Sequence, residues 1–173
     1  TPNNDGVGNH LVTIVATDLS GSEVTSNFTI TVGNVNDVPE LASEIQDLTI
    51  TEDMAFSYDV TSFFNDPDIG DSLFYTATGL PSTLRITDDG NITGIPINSD
   101  TLLSPFTVIV TARDGSNETV QSEFTLTVED VNDAPVVINE IPDFNMLEED
   151  LFELDVSAYF EDLDLGDTLS FSA

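Results

Sequence analysis

The stretch FTVIVTARDGSNETVQSEFTLTVEDVNDAP, residues 106–135, decides how this chain is read. Phe106, Val108, Val110 and Ala112 fall on alternate positions, and Phe124, Leu126 and Val128 alternate with Thr125, Thr127 and Glu129. A period of two puts one side of each segment on a core and the other in water, which marks β-strands. After the second segment, Asn132-Asp133-Ala134-Pro135 ends the pairing, because proline has no N–H to give to a ladder. The same pattern stands 96 residues earlier as HLVTIVATDLSGSEVTSNFTITVGNVNDVP, residues 10–39.

The offset holds without a gap. Asp18 falls on Asp114, Asn36 on Asn132, Asp37 on Asp133 and Pro39 on Pro135. Farther on, Glu52 falls on Glu148, Phe56 on Phe152, Asp66 on Asp162, Asp68 on Asp164, Gly70 on Gly166 and Asp71 on Asp167. A fixed period predicts a tandem array of modules. Residues 1–37 read as the C-terminal part of one repeat, 38–133 as a complete repeat and 134–173 as the N-terminal part of the next. The chain reads as an excerpt from a longer polymer of repeats.

The complete repeat is expected to be all-β. Leu48 and Ile50 mark a first strand, and Phe56, Tyr58 and Val60 a second. Residues 73–78, 83–87 and 91–95 are shorter candidates, with Asp89-Gly90 as the hairpin turn between the last two. With the two long segments this gives seven strands in roughly 95 residues, the size of an immunoglobulin-like sandwich. Seven strands alternating in direction bring the chain in at the top and out at the bottom, so repeats join end to end. Counting by parity puts the turns at 65–72 and 114–118 at the top, beside the incoming linker. It puts Glu52 and the loop 96–105, with Asp100, at the bottom, beside the outgoing one.

Composition narrows the partners. The chain carries 33 acidic residues against two basic ones, Arg85 and Arg113, for a net charge of −31. That balance excludes nucleic acid and anionic membrane surfaces, which need basic patches, and it suits cations. The regular alternation argues against an acidic disordered tail. There is no cysteine to cross-link the modules, and no run approaches the ~20 apolar residues of a membrane span.

The acids gather where parity puts the junctions. The upper junction is expected to collect Asn34, Asn36 and Asp37 from the linker with Asp66, Asp68 and Asp114. The lower is expected to collect Glu52 and Asp100 with Glu129, Asp130, Asn132, Asp133, Asp162 and Asp164. All are hard oxygen donors. Ca²⁺ takes such oxygens at about 2.3–2.6 Å, whereas Zn²⁺ prefers nitrogen or sulfur. Calcium is the expected ion, and its binding would convert mutual repulsion into inter-module rigidity. Asp71 and Asp167 either help the junction or cap a turn. Residues 66–77 fail as an EF-hand loop, since position six is Asp71 rather than glycine and position twelve is Ala77 rather than glutamate. His10, the sole histidine, reads as a loop residue. The paired carboxylates recur with the module, which argues for metal binding and against catalysis.

Thr51-Glu52-Asp53, the Asp66-x-Asp68 loop, Ala112-Arg113-Asp114-Gly115 and the linker Asp130–Pro135 together resemble a cadherin-type repeat. Phe64-Asn65-Asp66-Pro67-Asp68, Gly79-Leu80-Pro81 and Gly94-Ile95-Pro96 resemble more narrowly the dystroglycan-type cadherin-like module of bacterial surface proteins. The resemblance implies calcium between successive modules, with Glu52 in the lower site and Asp66, Asp68 and Asp114 in the upper. Val38 and Ala134 stand where animal cadherin linkers have asparagine, and the Asp-Arg-Glu element is missing, which implies fewer ions per junction.

The expectation is therefore tandem cadherin-like sandwiches with no enzymatic activity, extracellular or at a cell surface. They would serve as a calcium-rigidified extender of an adhesin or a filament. The alternative is a carbohydrate-binding or homotypic-binding accessory module of a secreted polysaccharide-active protein. Partners are neighbouring repeats of the same chain, with like chains in a filament or glycans as further candidates.

Overall fold

The computed structural model describes residues 1–164 and 166–172. β1 (Gly8–Thr17) and β2 (Glu23–Val32) form an antiparallel hairpin. Then come β3 (Glu40–Leu41), β4 (Leu48–Thr51), β5 (Phe56–Asp59), β6 (Phe64–Asn65), β7 (Phe74–Thr78), β8 (Leu84–Ile86) and β9 (Asn91–Gly94). A single turn of helix, α1 (Asn98–Thr101), leads into β10 (Phe106–Arg113) and β11 (Thr119–Glu129), and the short β12 (Val136–Val137) and β13 (Phe160–Glu161) close the series. All seven strands expected of the complete repeat are present.

Two sheets face each other. One has the order β4-β11-β10-β7 and the other β5-β9-β8. β10 runs antiparallel to β11 and β7, while β4 lies parallel to β11, pairing Leu48 with Leu126 and Thr51 with Glu129. The alternation now has its physical reading. Val108, Val110 and Ala112 of β10 and Phe124, Leu126 and Val128 of β11 point inward and are buried. They meet Val60, Leu84 and Ile92 from the opposite side. Each of these side chains larger than alanine contributes about 1.5–3 kcal/mol by leaving water. Phe64 and Tyr75 close the core edge-to-face, with ring centres 5.7 Å apart. Among the described residues, the buried apolar side chains of the core run from Ile45 to Val128.

At the end of β7 the chain turns at Gly79, whose φ is +81° and whose position leaves no room for a side chain. A Cβ there would stand 2.0 Å from the Thr107 carbonyl oxygen. The repeat is also visible in register. His10 pairs with Ile30, and 96 residues later in sequence Phe106 pairs with Leu126. His10 therefore lies in strand β1, not in a loop, and its Nε2 is 2.7 Å from the Gly6 carbonyl oxygen.

Two short pairings position the acidic loops. β3 pairs with β6 through Glu40–Asn65 and Leu41–Phe64. One period later β12 pairs with β13 through Val136–Glu161 and Val137–Phe160. In each case the chain leaving the linker proline is laid beside the strand that runs directly into Asp66 or Asp162.

Candidate metal centre at the junctions

Glu52 is fixed by the continuation of a ladder. Its N–H donates to the Glu129 carbonyl oxygen, 3.1 Å away, one step beyond the β4–β11 pairing. Its carboxylate is fully buried. Oε1 accepts the Val131 N–H at 2.9 Å, and Oε2 has no donor. Burial, opposed by the Val131 N–H and reinforced by the neighbouring Asp130, holds its pKa above the ordinary value.

Asp164 comes to the same place from the loop after β13. Its Oδ2 accepts the Asp133 N–H at 2.7 Å, and its Oδ1 is buried without a donor. Burial raises its pKa too; the Asp133 N–H works against that, and Asp130, Asp162 and Asp133 add to it. Glu52, Asp130 and Asp164 each offer an oxygen within 4.8 Å of the others.

The upper junction repeats the device. Asp68 is 3% exposed. Its Oδ2 accepts the Asp37 N–H at 2.8 Å, and its Oδ1 has no donor. Asp66 Oδ1 accepts the Asp68 N–H at 2.9 Å, leaving Oδ2 buried and free. One period later Asp162 Oδ1 likewise accepts the Asp164 N–H, at 3.0 Å.

Other expected residues sit elsewhere in the arrangement. Asp114 is buried, but its oxygens are taken. Oδ1 accepts the N–H groups of Ser116 and Glu118, and Oδ2 accepts Asn36 Nδ2 at 2.9 Å. The Asn36 amide, followed by these main-chain donors, lowers its pKa despite burial. Asn36 also donates to Glu118 and accepts the Ser116 hydroxyl, so it pins the linker to the β10–β11 turn.

Asp100 is buried in the turn of α1. It accepts the Ile97 N–H and the Thr83 hydroxyl, at 3.1 and 2.6 Å, and stays outside the carboxylate groups. Asn132 donates to the Asp133 carbonyl oxygen and shapes the linker. Asn34 and Glu129 are exposed.

Two residues were missed from the sequence. Asn98 of α1 donates to Asp133 Oδ2 at 2.6 Å while its own Oδ1 is buried without a donor. Asn4 donates to Asp37 Oδ2 at 2.9 Å and to the Pro67 carbonyl oxygen at 3.1 Å. They perform the same act at the two linkers but stand 94 residues apart, not 96, so the repeat does not align them.

Among the described residues, the buried side-chain polar atoms with no partner are Glu52 Oε2, Asp66 Oδ2, Asp68 Oδ1, Asn98 Oδ1 and Asp164 Oδ1. All are oxygens, and all lie at the junctions. A buried unpaired acceptor costs about 1–3 kcal/mol, and more when charged. Two carboxylates about 4 Å apart add repulsion of roughly 1 kcal/mol in water and ~4 at an effective dielectric of 20. A hard divalent cation relieves both terms, and the donor set fits one.

The two facing sheets define a module of immunoglobulin fold, cadherin-like in its architecture. A family model described as "Putative Ig domain" (He_PIG) matches residues 38–129, more than half of the chain, and the chain belongs to that family. Among solved structures, the chain is similar to protocadherin gammaB7 EC3-6, with 22% identity over 84% of this chain and 40% of that one, at a TM-score of 0.58. It is similar to the protocadherin gammaB4 extracellular domain, with 23% identity over 82% and 25%, at 0.59. Mouse cadherin-23 EC22-24 aligns with 22% identity over 75% and 44%, at 0.54. The chain thus spans less than half the length of these structures. No curated protein matched its sequence.

Proposed function

We propose that this chain is an extender segment, built from the tail of one module (1–37), a complete module (38–133) and the start of a third (134–173), and stiffened by Ca²⁺ at each junction. Its setting is a secreted or cell-surface adhesin or an extracellular filament. One observation carries the reading. At both junctions a buried aspartate holds the linker N–H with one oxygen and keeps the other free for a cation. Asp68 does this with Asp37, and Asp164 with Asp133. Glu52, Asp130, Asp162, Asp66 and Asp133 supply further oxygens. Bound cation supplies positive charge; the chain supplies the alignment of linker and loop that turns charge neutralisation into stiffness. The absence of lysine leaves no Lys–Asn cross-link to do the same work.

Small-angle scattering of the 173-residue chain tests this. About 10 mM Ca²⁺, roughly tenfold above the weak end of extracellular affinities, should give a longer, stiffer particle than chelator does. Identical scattering curves in the two buffers would rule the extender reading out. Retention on a glycan column under both conditions would favour a binding module instead.

A further inference from the structure

The hairpin β1–β2 carries a core face without a core. By the 96-residue period, Val12, Ile14, Ala16, Phe28, Ile30 and Val32 stand at the positions of the inward-facing residues of β10 and β11. Phe28 and Ile30 are 46% and 47% exposed, against 4% and 1% for Phe124 and Leu126. The hairpin also has an open edge. β11 takes β10 on one side and β4 on the other, whereas among the described residues β2 pairs with β1 alone.

Residues 135–172 hold the matching half. The counterpart of β4 is 144–147, and no ladder forms there, because β4 owes its ladder to β11. Phe144 and Met146, at the positions of Leu48 and Ile50, are exposed. The aromatic pair of this half is already set. Phe160 and Phe171 have ring centres 5.5 Å apart, as Phe64 and Tyr75 have theirs 5.7 Å apart one period earlier. With Ile141 and Val156 they line an open groove of about 450 Å³. The counterparts of those two residues, Ile45 and Val60, are buried in the complete repeat.

We propose that β1–β2 docks its apolar face and open edge on residues 135–172 of a second copy of this chain, in the register of the complete repeat. The occupant is named by that repeat, whose own core shows what covers each half. Within one chain β1 and β2 pair only with each other, and the complete repeat stands between the two halves in sequence. Transferred by one period, the β4–β11 pairing sets Ile30 beside Phe144, Thr31 beside Asn145 and Val32 beside Met146. Main-chain hydrogen bonds at the edge supply affinity and alternate side chains in the groove supply register. Each copy uses a different surface, so the contact is head-to-tail and propagates into open chains unless it closes a ring. Two features hold it weak. Residues 134–173 have no counterpart of β8 and β9, and copies of net charge −31 repel one another. The proposal rests on the repeat and not on the calcium reading.

The test is sedimentation velocity on the whole 173-residue chain in chelator. Raising NaCl from about 0.1 to about 1 M shortens the screening length from about 10 to about 3 Å. Oligomers are expected to grow with salt and with protein concentration. F28D spoils the hairpin face and M146D the groove, so each variant alone should stay monomeric. Mixed, they retain one intact hairpin and one intact groove, and should form a heterodimer and nothing larger. Association of M146D alone as strong as that of the native chain overturns the proposal in favour of hairpin against hairpin. A native chain that stays monomeric at high salt overturns it as well.

Cross-linking reads the register without disturbing the apolar faces. Thr31 and Asn145 alternate with the inward-facing residues, and the chain has no cysteine of its own. Paired strands lie about 4.7–4.9 Å apart, within the Cα separation of about 4.4–6.8 Å that a disulfide spans. Thr31→Cys mixed with Asn145→Cys and oxidised should yield a covalent heterodimer. A Thr31→Cys homodimer as the main product, or no cross-link, overturns the proposal. Every measurement is made in chelator, so the calcium reading stands or falls separately.

Discussion

The Asp133 N–H donates to Asp164 Oδ2 at 2.7 Å, and one period earlier the Asp37 N–H donates to Asp68 Oδ2 at 2.8 Å. The bond ties the last acidic residue of each linker to the module that follows. Replacing Asp164 by Asn keeps the size of the side chain and removes its charge. The variant should bind calcium at the lower junction at least tenfold more weakly. The melting temperature in chelator should hold or rise, because a buried charge has gone. Calorimetric titration and thermal melts in the two buffers check both halves.

Asn98 donates an amide N–H to Asp133 Oδ2. Asn98→Asp puts a second carboxylate in that place, with repulsion of about 1–4 kcal/mol between close charges. The variant should melt lower than the native chain in chelator and gain more from added calcium. Asn98→Ala should lose stability in chelator without that extra gain. A double-mutant cycle with Asp133→Asn measures the coupling.

The core should respond in a different way. Leu126 is 1% exposed and lies between the sheets. Leu126→Ala should cost about 2–5 kcal/mol through lost transfer energy and the cavity left behind. The urea midpoint should fall, and saturating calcium should not restore it, since the cavity is remote in kind from the charge problem.

Acid should act through Asp59, which is exposed and belongs to none of the carboxylate groups described above. Its carboxylate accepts the Thr61 N–H at 2.8 Å, and that main-chain bond, followed by the Thr61 hydroxyl, lowers its pKa from the ordinary 3.8. A carboxylate with a depressed folded-state pKa stabilises above its unfolded pKa, and the contribution disappears as pH falls through the folded value. Asp59→Ala should therefore move acid unfolding to higher pH and narrow its difference from neutral pH. Acid titrations of both proteins, followed by circular dichroism in chelator, measure the shift.

Much of the fold was legible because the seven main strands bury one face each, and burial writes itself as alternation. β3–β6 and β12–β13 were not, since two-residue pairings leave no period to detect, yet they align linker with loop. At the candidate site, Glu52, Asp68, Asp130 and Asp164 stand out in the sequence because they are acids that recur or sit at linkers. Asp100 looks like another ligand in sequence, but its carboxylate is used locally by Ile97 and Thr83. Asn4 and Asn98 had no such mark. They reach the linkers from differently spaced turns, and an asparagine carries no charge to draw notice.

The parallel pairing of β4 with β11 has a mechanical meaning. Beyond the short β3, the chain joins the larger sheet at the start of β4 and leaves it at the finish of β11, so a pull on the two ends drives these neighbours past one another lengthwise. The ladder from Leu48–Leu126 to Thr51–Glu129, extended by the Glu52 N–H, is loaded in shear. Its bonds share the force and must give way together, whereas a hairpin peeled from its open end yields one rung at a time. Tension along the chain thus loads in shear the strand whose final rung holds Glu52.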